Sequence, residues 1–415
     1  MTFPIVLLGD AVNDDGGILQ TGPFGSQLKQ AEYSDDGVPV IMPKDISNGE
    51  VNLTTVARVP ESTAIRLSRH RIAPNGIVLP RRGEITKRAF VHEHQAGWLC
   101  GTGCLKVETT GRRIWPKYLY YHLGTPAVVE WLTKNAVGST MLNLSAEIVS
   151  RLPIRLPAID TQVHIARTLS VYDALIANNV QRIELLEESA RLLYREWFVH
   201  FRFPGHEHVK IVNGVPEGWE ILPVQSVCET YDDGDWLETK DQGGDEYRIL
   251  QISNIGLNSF VETGNERFIT AETFRRLNCH EVLPGDILVS RMPRPIGRGW
   301  LVTEMPFKMV TAVDVTIVRA DSTKVCPFYL LHHINSEQNV RRCEGGATGS
   351  TRPRVSRRLM GSLPIFLPPL RLQERFSEIA QQNNEQKRNL EQKNEKLAQA
   401  RDLLLPRLMS GEIAA

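Results

Sequence analysis

The chain has 415 residues, which predicts two or three domains. Its 48 basic and 48 acidic residues balance, which excludes binding of nucleic acid through overall positive charge, so any such surface must be local. Six scattered cysteines predict reduced thiols in a cytoplasmic protein. The first ten residues show no signal-peptide pattern, and no apolar stretch approaches membrane-spanning length.

Residues 1–158 are predicted to form a first globular domain. Short apolar runs separated by Gly, Pro and Asn predict strands at residues 38–42, 76–80, 89–92 and 105–108. Apolar residues at helical spacing predict one helix over residues 116–134. The prolines within residues 152–157 disfavour a helix, so we expect an extended segment to lead into the next element.

A long helix is predicted over residues 159–202. Its apolar residues recur at steps of four and three over roughly five heptads, which is typical of a coiled coil. One polar residue, Asn179, interrupts this seam. It either fixes the register of a helix pair or faces water in a frayed or kinked part of the helix. The seam residues are Ile165, Leu169, Tyr172, Ile176, Ile183, Leu186, Ala190, Leu193 and Trp197.

The second half of the chain repeats this order. Residues 203–218, rich in Gly and Pro, predict a linker, residues 219–370 a second domain, and residues 371–410 a second long helix. Because the middle of that helix is polar, we expect it to pair antiparallel with the first long helix. Its predicted seam is Phe376, Ile379, Asn383, Gln386, Leu390, Leu397, Ala400 and Leu404.

Matching segments recur at a constant offset of about 210 residues, as a tandem duplication leaves. A Gly-Ser-Thr turn at residues 349–351 matches the turn at 138–140, and Gln373 matches Gln162. The sequence therefore predicts a mixed α/β fold. Two globular α/β domains would be separated by two long helices that pair as an antiparallel coiled coil, with a pseudo-twofold relation between the halves.

Clusters of Arg and Lys beside Gly, Ser and Thr lie at matching places in the two halves. The planar fork of Arg suits phosphates and guanine edges, and Ser, Thr and Asn suit phosphate oxygens. One such cluster alone is usually a solvated surface, but the matched pair favours a shared binding role in contacting nucleic acid. The residues assigned to this surface are Ser26, Lys29, Lys44, Arg81, Arg82, Lys87, Arg88, Ser139, Thr140, Asn143, Arg291, Arg294, Arg298, Ser350, Thr351, Arg352 and Arg354.

No catalytic motif is complete in this sequence. It contains no Gly-x-x-x-x-Gly-Lys-Ser/Thr loop, no full Gly-x-Gly-x-x-Gly fingerprint and no Asn/Asp-Pro-Pro-aromatic tetrapeptide. The pair His92 and His94 has no third ligand nearby, which argues against a metal-dependent nuclease. Acidic residues 229–246 lack a ligand spacing and are predicted to form a solvated loop. A coiled-coil scaffold with two protein-binding domains is a further alternative, against which the matched Arg loops argue.

Several short motifs occur together along the chain. They are Gly-Pro-Phe-Gly-Ser at 22–26, a Gly-Ser-Thr turn before each Leu-Pro-x-x-x-Pro segment, Gln at both helix starts, Leu-Tyr-Arg-Glu-Trp-Phe at 193–198, Val-Pro-Glu-Gly-Trp at 215–219 and Leu-Met-Ser-Gly at 408–411. With them the chain resembles, over essentially its whole length, the specificity subunit of a type I restriction–modification enzyme. In one departure, residues 231–235 are Tyr-Asp-Asp-Gly-Asp, so the phosphate contacts of the first domain's Gly-Pro-Phe-Gly-Ser loop are not carried over.

The resemblance implies a non-catalytic, cytoplasmic subunit that binds double-stranded DNA. Each globular segment would be a target recognition domain that reads one half of a bipartite asymmetric site. The helices would space these domains and dock two methyltransferase subunits, which hold S-adenosylmethionine. Restriction subunits would join to translocate and cut unmethylated DNA with ATP and Mg. No cofactor and no metal ion is expected on this chain itself.

Overall fold

The computed structural model describes residues 3–138 and 142–413 and divides into two compact units. Unit 1 comprises Met1–Asn179 with Gln392–Ala415, and unit 2 comprises Val180–Glu391. The sequence predicted the long helices as segments separate from the domains. Instead, one half of each long helix packs with each unit.

Unit 1 is built from short strands and helices before its first long helix. Its strands are β1 (Ile5–Leu7), β2 (Ile18–Thr21), β3 (Val38–Ile41), β4 (Ile46–Ser47), β5 (Glu50–Val51), β6 (Ala57–Val59), β7 (Ile77–Pro80), β8 (Ala89–Phe90), β9 (Leu99–Cys100), β10 (Cys104–Glu108) and β11 (Pro153–Arg155). Its helices are α1 (Leu8–Asp15), α2 (Glu61–Arg66), α3 (Pro116–His122), α4 (Pro126–Asn135), α5 (Ala146–Ser150) and the first half of the long α6 (Ile159–Tyr194). The second half of α6 belongs to unit 2 and is followed by a π-helical turn, Arg195–Val199.

Unit 2 contains a matching set of elements. Its strands are β12 (Ile211–Val212), β13 (Val215–Pro216), β14 (Glu220–Pro223), β15 (Cys228–Asp233), β16 (Tyr247–Leu250), β17 (Phe268–Ile269), β18 (Ile287–Ser290), β19 (Gly299–Leu301), β20 (Lys308–Thr311), β21 (Val315–Ala320) and β22 (Pro364–Leu367). Its helices are α7 (Ala271–Leu277), α8 (Pro327–Ile334), α9 (Glu337–Gly345), α10 (Arg357–Ser362) and the first half of the long α11 (Leu370–Ser410), whose last part belongs to unit 1.

The two units share one sheet topology. The four-stranded sheet β2-β10-β7-β8 of unit 1 corresponds to β15-β21-β18-β19 of unit 2. In each unit a three-stranded sheet follows, in which β3 or β16 pairs antiparallel with one neighbour and parallel with the other. The antiparallel pair β1-β11 corresponds to β14-β22. This agreement in strand order and direction is the structural form of the duplication that the sequence predicts.

A buried glutamine at the start of each long helix ties that helix to its own unit. The Gln162 side chain accepts from the backbone N–H of Trp115 at 2.8 Å and donates to the carbonyl of Pro157 at 2.9 Å. Gln373 accepts from the N–H of Cys326 at 3.0 Å and donates to Pro368 at 2.8 Å. Both side chains are fully buried, so they satisfy backbone groups that water cannot reach.

Two predicted elements differ from the structure. The helix expected over residues 116–134 is two helices, α3 and α4, because Pro126 lacks a backbone N–H and therefore begins a new helix. The acidic segment expected to be a loop begins as strand β15, which pairs with β21 along its length. The pairing of β15 within this sheet outweighs the low strand propensity of the Asp residues in β15.

Within unit 1, the first half of α6 packs antiparallel to the last part of α11. Arg401 of α11 forms an ion pair with Asp173 of α6 at 2.7 Å, and Asn179 Nδ2 donates to Asn394 Oδ1 at 2.8 Å. Positions later in α6 thus meet positions earlier in α11. Asn179 is 9% exposed, so the structure favours its role in fixing register over a solvent-facing position.

Within unit 2, the second half of α6 packs antiparallel to the first part of α11. The amide of Asn383 donates to the Leu186 carbonyl at 3.3 Å, and the buried Lys387 forms an ion pair with Glu187. Lys387 also donates to the carbonyl of Asn258 at 3.2 Å, which ties a loop of the globular part to the helix pair.

The α11 seam differs in part from the predicted one. Ile379 and Gln386, which the sequence placed in the seam, are exposed. The positions of the buried or partly buried face recur at steps of three and four residues. Several of them are polar, so a pattern of apolar residues does not identify them. It consists of Gln373, Phe376, Ala380, Asn383, Lys387, Leu390, Asn394, Leu397, Arg401, Leu404 and Leu408.

Candidate nucleic-acid interface

Three segments of unit 1 that are far apart in sequence meet around Arg81. Its backbone N–H donates to the carbonyl of Gly103 at 2.8 Å, and its carbonyl accepts from the N–H of Leu144 at 2.8 Å. Its guanidinium carbon lies 5.7 Å from the centroid of the Phe24 ring. The next residue, Arg82, forms a β-bridge with Asn143. The structure therefore brings together the loop after β2, the loop after β7 and the segment before α5.

Four of the eight described residues of unit 1 that were predicted to contact nucleic acid are exposed, and the other four are partly buried. Ser26, Lys29, Lys44 and Arg82 are exposed. In the described part of the chain, Lys29, Lys44 and Arg82 form no ion pair, so their charges are free to meet phosphates. Ser139 and Thr140 lie outside the described residues.

Two buried polar atoms in this region have no hydrogen-bond partner within the described part of the chain. They are Nε of Arg81 and Oδ1 of Asn143. Buried polar groups are almost always bonded, and an unbonded one costs free energy. A polar ligand or ordered water at this point would remove that cost, which suits a binding surface.

The remaining basic residues of this loop have internal partners. Lys87 forms an ion pair with Glu84 at 2.5 Å. Arg88 donates through Nε to the Tyr120 carbonyl at 2.8 Å, and its guanidinium lies 4.8 Å from the centre of the Tyr120 ring. Burial lowers the pKa of Arg88. We therefore assign Arg88, predicted as a binding residue, to the support of the loop.

Arg291 occupies in unit 2 the position that Arg81 occupies in unit 1. Its backbone N–H donates to the Asp314 carbonyl at 3.0 Å, and its carbonyl accepts from the N–H of Val355 at 3.2 Å. A β-bridge between Thr348 and Arg354 matches the bridge between Val137 and Asn143 in unit 1. The basic clusters that the sequence matched by offset therefore lie at equivalent points of the two units.

The electrostatics of these equivalent points differ. Arg291 is 4% exposed and forms ion pairs with Asp233 at 3.3 Å and Asp314 at 3.6 Å. Arg354 pairs with Asp314 at 2.9 Å, and Arg357 pairs with Asp232 at 2.5 Å. The acids come from β15 and from the turn before β21, which are distant in sequence. Residues 291–299 include no acid, but folding supplies these partners, so Arg291 and Arg354 are charge-compensated.

Arg298, predicted as a binding residue, is part of the internal structure of unit 2. It is 8% exposed. Its Nε donates to the Ile255 carbonyl at 2.6 Å, Nη2 to Ile252 at 2.9 Å and Nη1 to Pro293 at 2.7 Å. Burial lowers the pKa of Arg298. A guanidinium bound to this many carbonyls holds two loops together and has no fork left for a base or phosphate.

Four other predicted residues of unit 2 remain available to a ligand. Arg294, Ser350, Thr351 and Arg352 are exposed. Arg294 and Arg352 form no ion pair with any described residue. Among the predicted binding residues of unit 2, the free positive charge thus lies at the tip of the Arg291–Arg298 loop and in the turn that follows α9.

The sequence analysis missed a counterpart to Gly22 in unit 2. The Gly22 N–H donates to the Cys104 carbonyl at 2.9 Å, and the Gly234 N–H donates to the Val315 carbonyl at 2.8 Å. A Cβ would lie 2.1 Å from the Gly101 carbonyl oxygen at Gly22 and 2.4 Å from the Ala312 carbonyl oxygen at Gly234. The flanking residues differ, which hid the match, but the separation of about 210 residues was a usable signal.

The paired histidines do not assemble a metal site in the described part of the chain, where no group of three or more His, Cys, Asp or Glu side chains is placed to hold an ion. His92 contacts Glu50, with 2.9 Å between Nε2 and Oε2.

No helix among the described residues is both long and apolar enough to cross a membrane.

Comparisons with known proteins agree with this fold. A family model described as the type I restriction modification DNA specificity domain matches residues 23–188. The chain is 24% identical over 399 residues to the type I restriction enzyme MjaIX specificity subunit of Methanocaldococcus jannaschii, covering 93% of this chain and 89% of that protein. It is 21% identical over 394 residues to the putative type I restriction enzyme MjaX specificity subunit of that organism, covering 91% and 87%. The type I restriction-modification S subunit from M. genitalium has a TM-score of 0.55, with 15% identity and coverage of 98% and 96%.

Proposed function

The chain belongs to the specificity subunits of type I restriction–modification systems, and from this premise we propose that each of its two units reads one half of a bipartite, asymmetric DNA site. The observation that carries this proposal is the repeated loop geometry: Arg81 and Arg291 hold the same backbone contacts in two units of the same topology. Different side chains around a shared framework suit two readers of different sequence.

The proposed interface consists of the exposed basic and polar residues around these loops. In unit 1 it includes Arg81 and Asn143, whose unbonded buried atoms DNA groups or water would satisfy. Arg88, Arg291 and Arg298 support the loops from within, while the partly exposed Lys87 and Arg354 are held by ion pairs with Glu84 and Asp314. The interface residues are Ser26, Lys29, Lys44, Arg81, Arg82, Ser139, Thr140 and Asn143 in unit 1, and Arg294, Ser350, Thr351 and Arg352 in unit 2.

The two units act on one DNA molecule through shared helices. Once one unit binds its half-site, the other is held at a high effective concentration near the second half-site, which raises affinity for sites with the correct gap. We propose that the paired helices α6 and α11 set the length of that gap.

The subunit acts through partners in the cytoplasm. We propose that it directs two methyltransferase subunits, which hold S-adenosylmethionine, and restriction subunits, which use ATP and Mg to translocate and cut DNA. The chain itself contributes recognition and no catalytic residue. This division of labour is consistent with a sequence that contains no complete catalytic motif.

The proposal is tested by replacing one free arginine in each unit. Arg82→Ala and Arg294→Ala are expected to weaken DNA binding of the assembled methyltransferase complex by about 1–3 kcal/mol where the arginine reads a base, with a smaller, salt-dependent loss where it contacts phosphate. Binding is measured on the native site and on sites with either half scrambled. Each variant should lose discrimination at one half only. Wild-type binding by both variants would reject this interface, and assembly without any DNA binding would favour a protein scaffold.

A further inference from the structure

Each unit exposes a large aromatic side chain beside its proposed binding loop. Phe24 of unit 1 is 55% exposed and Trp236 of unit 2 is 72% exposed. Aromatic side chains of this size normally bury most of their surface, and exposed ones are enriched at sites of interaction. The proposed function so far assigns neither of them a role.

The two aromatics occupy corresponding positions in the repeat. Each lies two residues after a glycine, Gly22 or Gly234, that closes the end of the first strand of the four-stranded sheet through the same backbone hydrogen bond. Neither glycine could carry a Cβ, because a carbonyl oxygen in the turn before the neighbouring strand, β10 or β21, lies too close to it. The backbone therefore starts both loops in the same way, although Pro23 and Asp235 separate glycine from aromatic in the two units.

The surroundings of Phe24 indicate what it meets. Its carbonyl accepts from the N–H groups of Gln27 and Leu28, which holds the residue in a tight turn. Its ring lies against the Arg81 guanidinium, in the loop that also carries the unpaired Arg82. An apolar ring next to free positive charge suits a partner with an anionic backbone and flat apolar surfaces, and duplex DNA has both.

The surroundings of Trp236 are more acidic. Its Nε1 lies 3.4 Å from Oε1 of Glu238, and Asp235 contacts the His280 ring at 3.0 Å. Carboxylates repel phosphates, yet within the major groove they accept hydrogen bonds from the amino group of cytosine. This loop therefore suits contact with base edges and not with the phosphate backbone.

We propose that Phe24 and Trp236 are apolar DNA contacts, one for each half-site, that rest on base edges or wedge against a base step. This inference rests on the proposed function and assigns a residue to it in each unit. Aromatic and aliphatic side chains make such contacts with thymine methyl groups and with partly unstacked steps. Because no counterion is released by an apolar contact, its contribution to affinity does not depend on salt.

The test uses the complete complex with its methyltransferase subunits and a DNA duplex that carries the native site. Phe24→Ala and Trp236→Ala are each expected to raise the dissociation constant about tenfold, which is near the lower end of the loss when one stacked aromatic is removed from a single-strand-binding protein. The slope of log affinity against log salt should stay at the wild-type value. Phe24→Trp and Trp236→Phe should retain most of the affinity.

Two exposed apolar residues outside the loops serve as matched controls. Leu53 in unit 1 is 58% exposed and Ile221 in unit 2 is 52% exposed, and their alanine variants should bind DNA as the wild type does. When one half-site is scrambled, the aromatic variant of the unit that reads that half should no longer lower the affinity further. The variant of the other unit should still lower it. Unfolding midpoints of all variants should match the wild type, since the replaced rings are exposed.

Three results would overturn the inference. Wild-type affinity of both aromatic variants, together with weakened binding by Arg82→Ala, would reject the aromatic contacts and leave the proposed function standing. Loss of methyltransferase assembly in place of DNA affinity would assign the aromatics to a protein interface. A wild-type complex that binds no bipartite site would reject the proposed function and, with it, this inference.

Discussion

At the scale of single residues, the environment of each arginine decides whether it can bind a ligand. Sequence identifies Arg81, Arg88, Arg291 and Arg298 as one kind of residue in matched loops. Folding separates them, because Arg291 pairs with aspartates from other strands and Arg298 binds carbonyls of a distant loop. Charge patterns along a chain could not reveal these partners, since each comes from more than ten residues away. Arg82 and Arg294, which were predicted as binding residues, are exposed and form no ion pair with a described residue.

Arg298 is expected to matter for folding. Arg298→Ala removes the hydrogen bonds from the guanidinium to the carbonyls of Ile252, Ile255 and Pro293, of which only Ile255 is a buried residue. An unsatisfied buried acceptor costs about 1–3 kcal/mol, so the free energy of unfolding should fall by about that amount. Arg294→Ala, an exposed change four residues earlier, is the matched control and should change it by less than about 0.5 kcal/mol. Urea unfolding measures both, and equal stabilities would refute the assigned role of Arg298.

Two buried histidines at equivalent positions predict a loss of stability in acid. Burial lowers the pKa of His122 to about 4, and burial followed by the nearby Arg342 lowers that of His333 to about 3. In the unfolded chain the pKa is about 6.5, so below that pH the unfolded state binds protons that the folded state does not. Stability is therefore fully present above pH 6.5 and is lost as the pH falls toward these lowered values.

The size of this effect can be measured between pH 6.5 and 5. Each histidine should contribute a loss of about 1–2 kcal/mol over this interval. A double variant, His122→Asn with His333→Asn, should be less stable at pH 6.5 but lose less on acidification. The comparison uses urea unfolding at the two pH values. An equal loss in wild type and double variant would show that other groups control the acid sensitivity.

At the scale of elements, the two long helices differ in how far sequence could predict them. The α6 seam is mostly apolar, and all of its predicted positions, from Ile165 to Trp197, are buried or partly buried. The α11 seam runs through Asn383, Lys387, Asn394 and Arg401, whose side chains are stabilised by partners on α6. A pattern of apolar residues cannot identify positions at which polar pairs form the contact. The strands of the core sheets were easier to predict because β-branched residues cluster in them.

The pair Asn179 and Asn394 predicts a coupled response to mutation. Asn394→Leu alone leaves the buried Asn179 amide unbonded and should lower the free energy of unfolding by about 1–3 kcal/mol. The double variant Asn179→Leu with Asn394→Leu should recover most of this loss, because two apolar residues then face each other. Gln386→Leu, at an exposed position of α11, is the control and should have little effect. Additive effects of the two single changes in a double-mutant cycle would contradict the pairing.

At the scale of the whole molecule, the sequence predicted the duplication, but it did not predict how the long helices are divided between the two units. The constant offset predicted two related domains, and the two units share strand order and the glutamine anchors Gln162 and Gln373. The separation of Gly22 and Gly234 matches the offset of the repeat, but their flanking residues differ, and their shared backbone hydrogen bond in the structure establishes the equivalence. The division of α6 and α11 between the units also needed the structure.

The proposal that the helices set the gap predicts the outcome of a matched insertion. Seven residues added after Val180 in α6 and seven after Lys393 in α11 preserve both heptad seams. At about 1.5 Å per residue the helices lengthen by roughly 10 Å, which corresponds to about 3 base pairs of B-DNA. The gap in the recognised site should grow by that amount. Seven residues inserted after Gly214, in an exposed turn, should leave the gap unchanged.

The most direct test of the central claim is the methylation pattern that this chain directs. The chain is produced together with its methyltransferase partners in a host that lacks other DNA methylation, and modified bases are mapped across the genome. The account predicts one asymmetric motif in two parts, separated by a gap of fixed length and unspecified sequence. A single continuous motif, or methylation without any sequence preference, would contradict two units that each read half of the site.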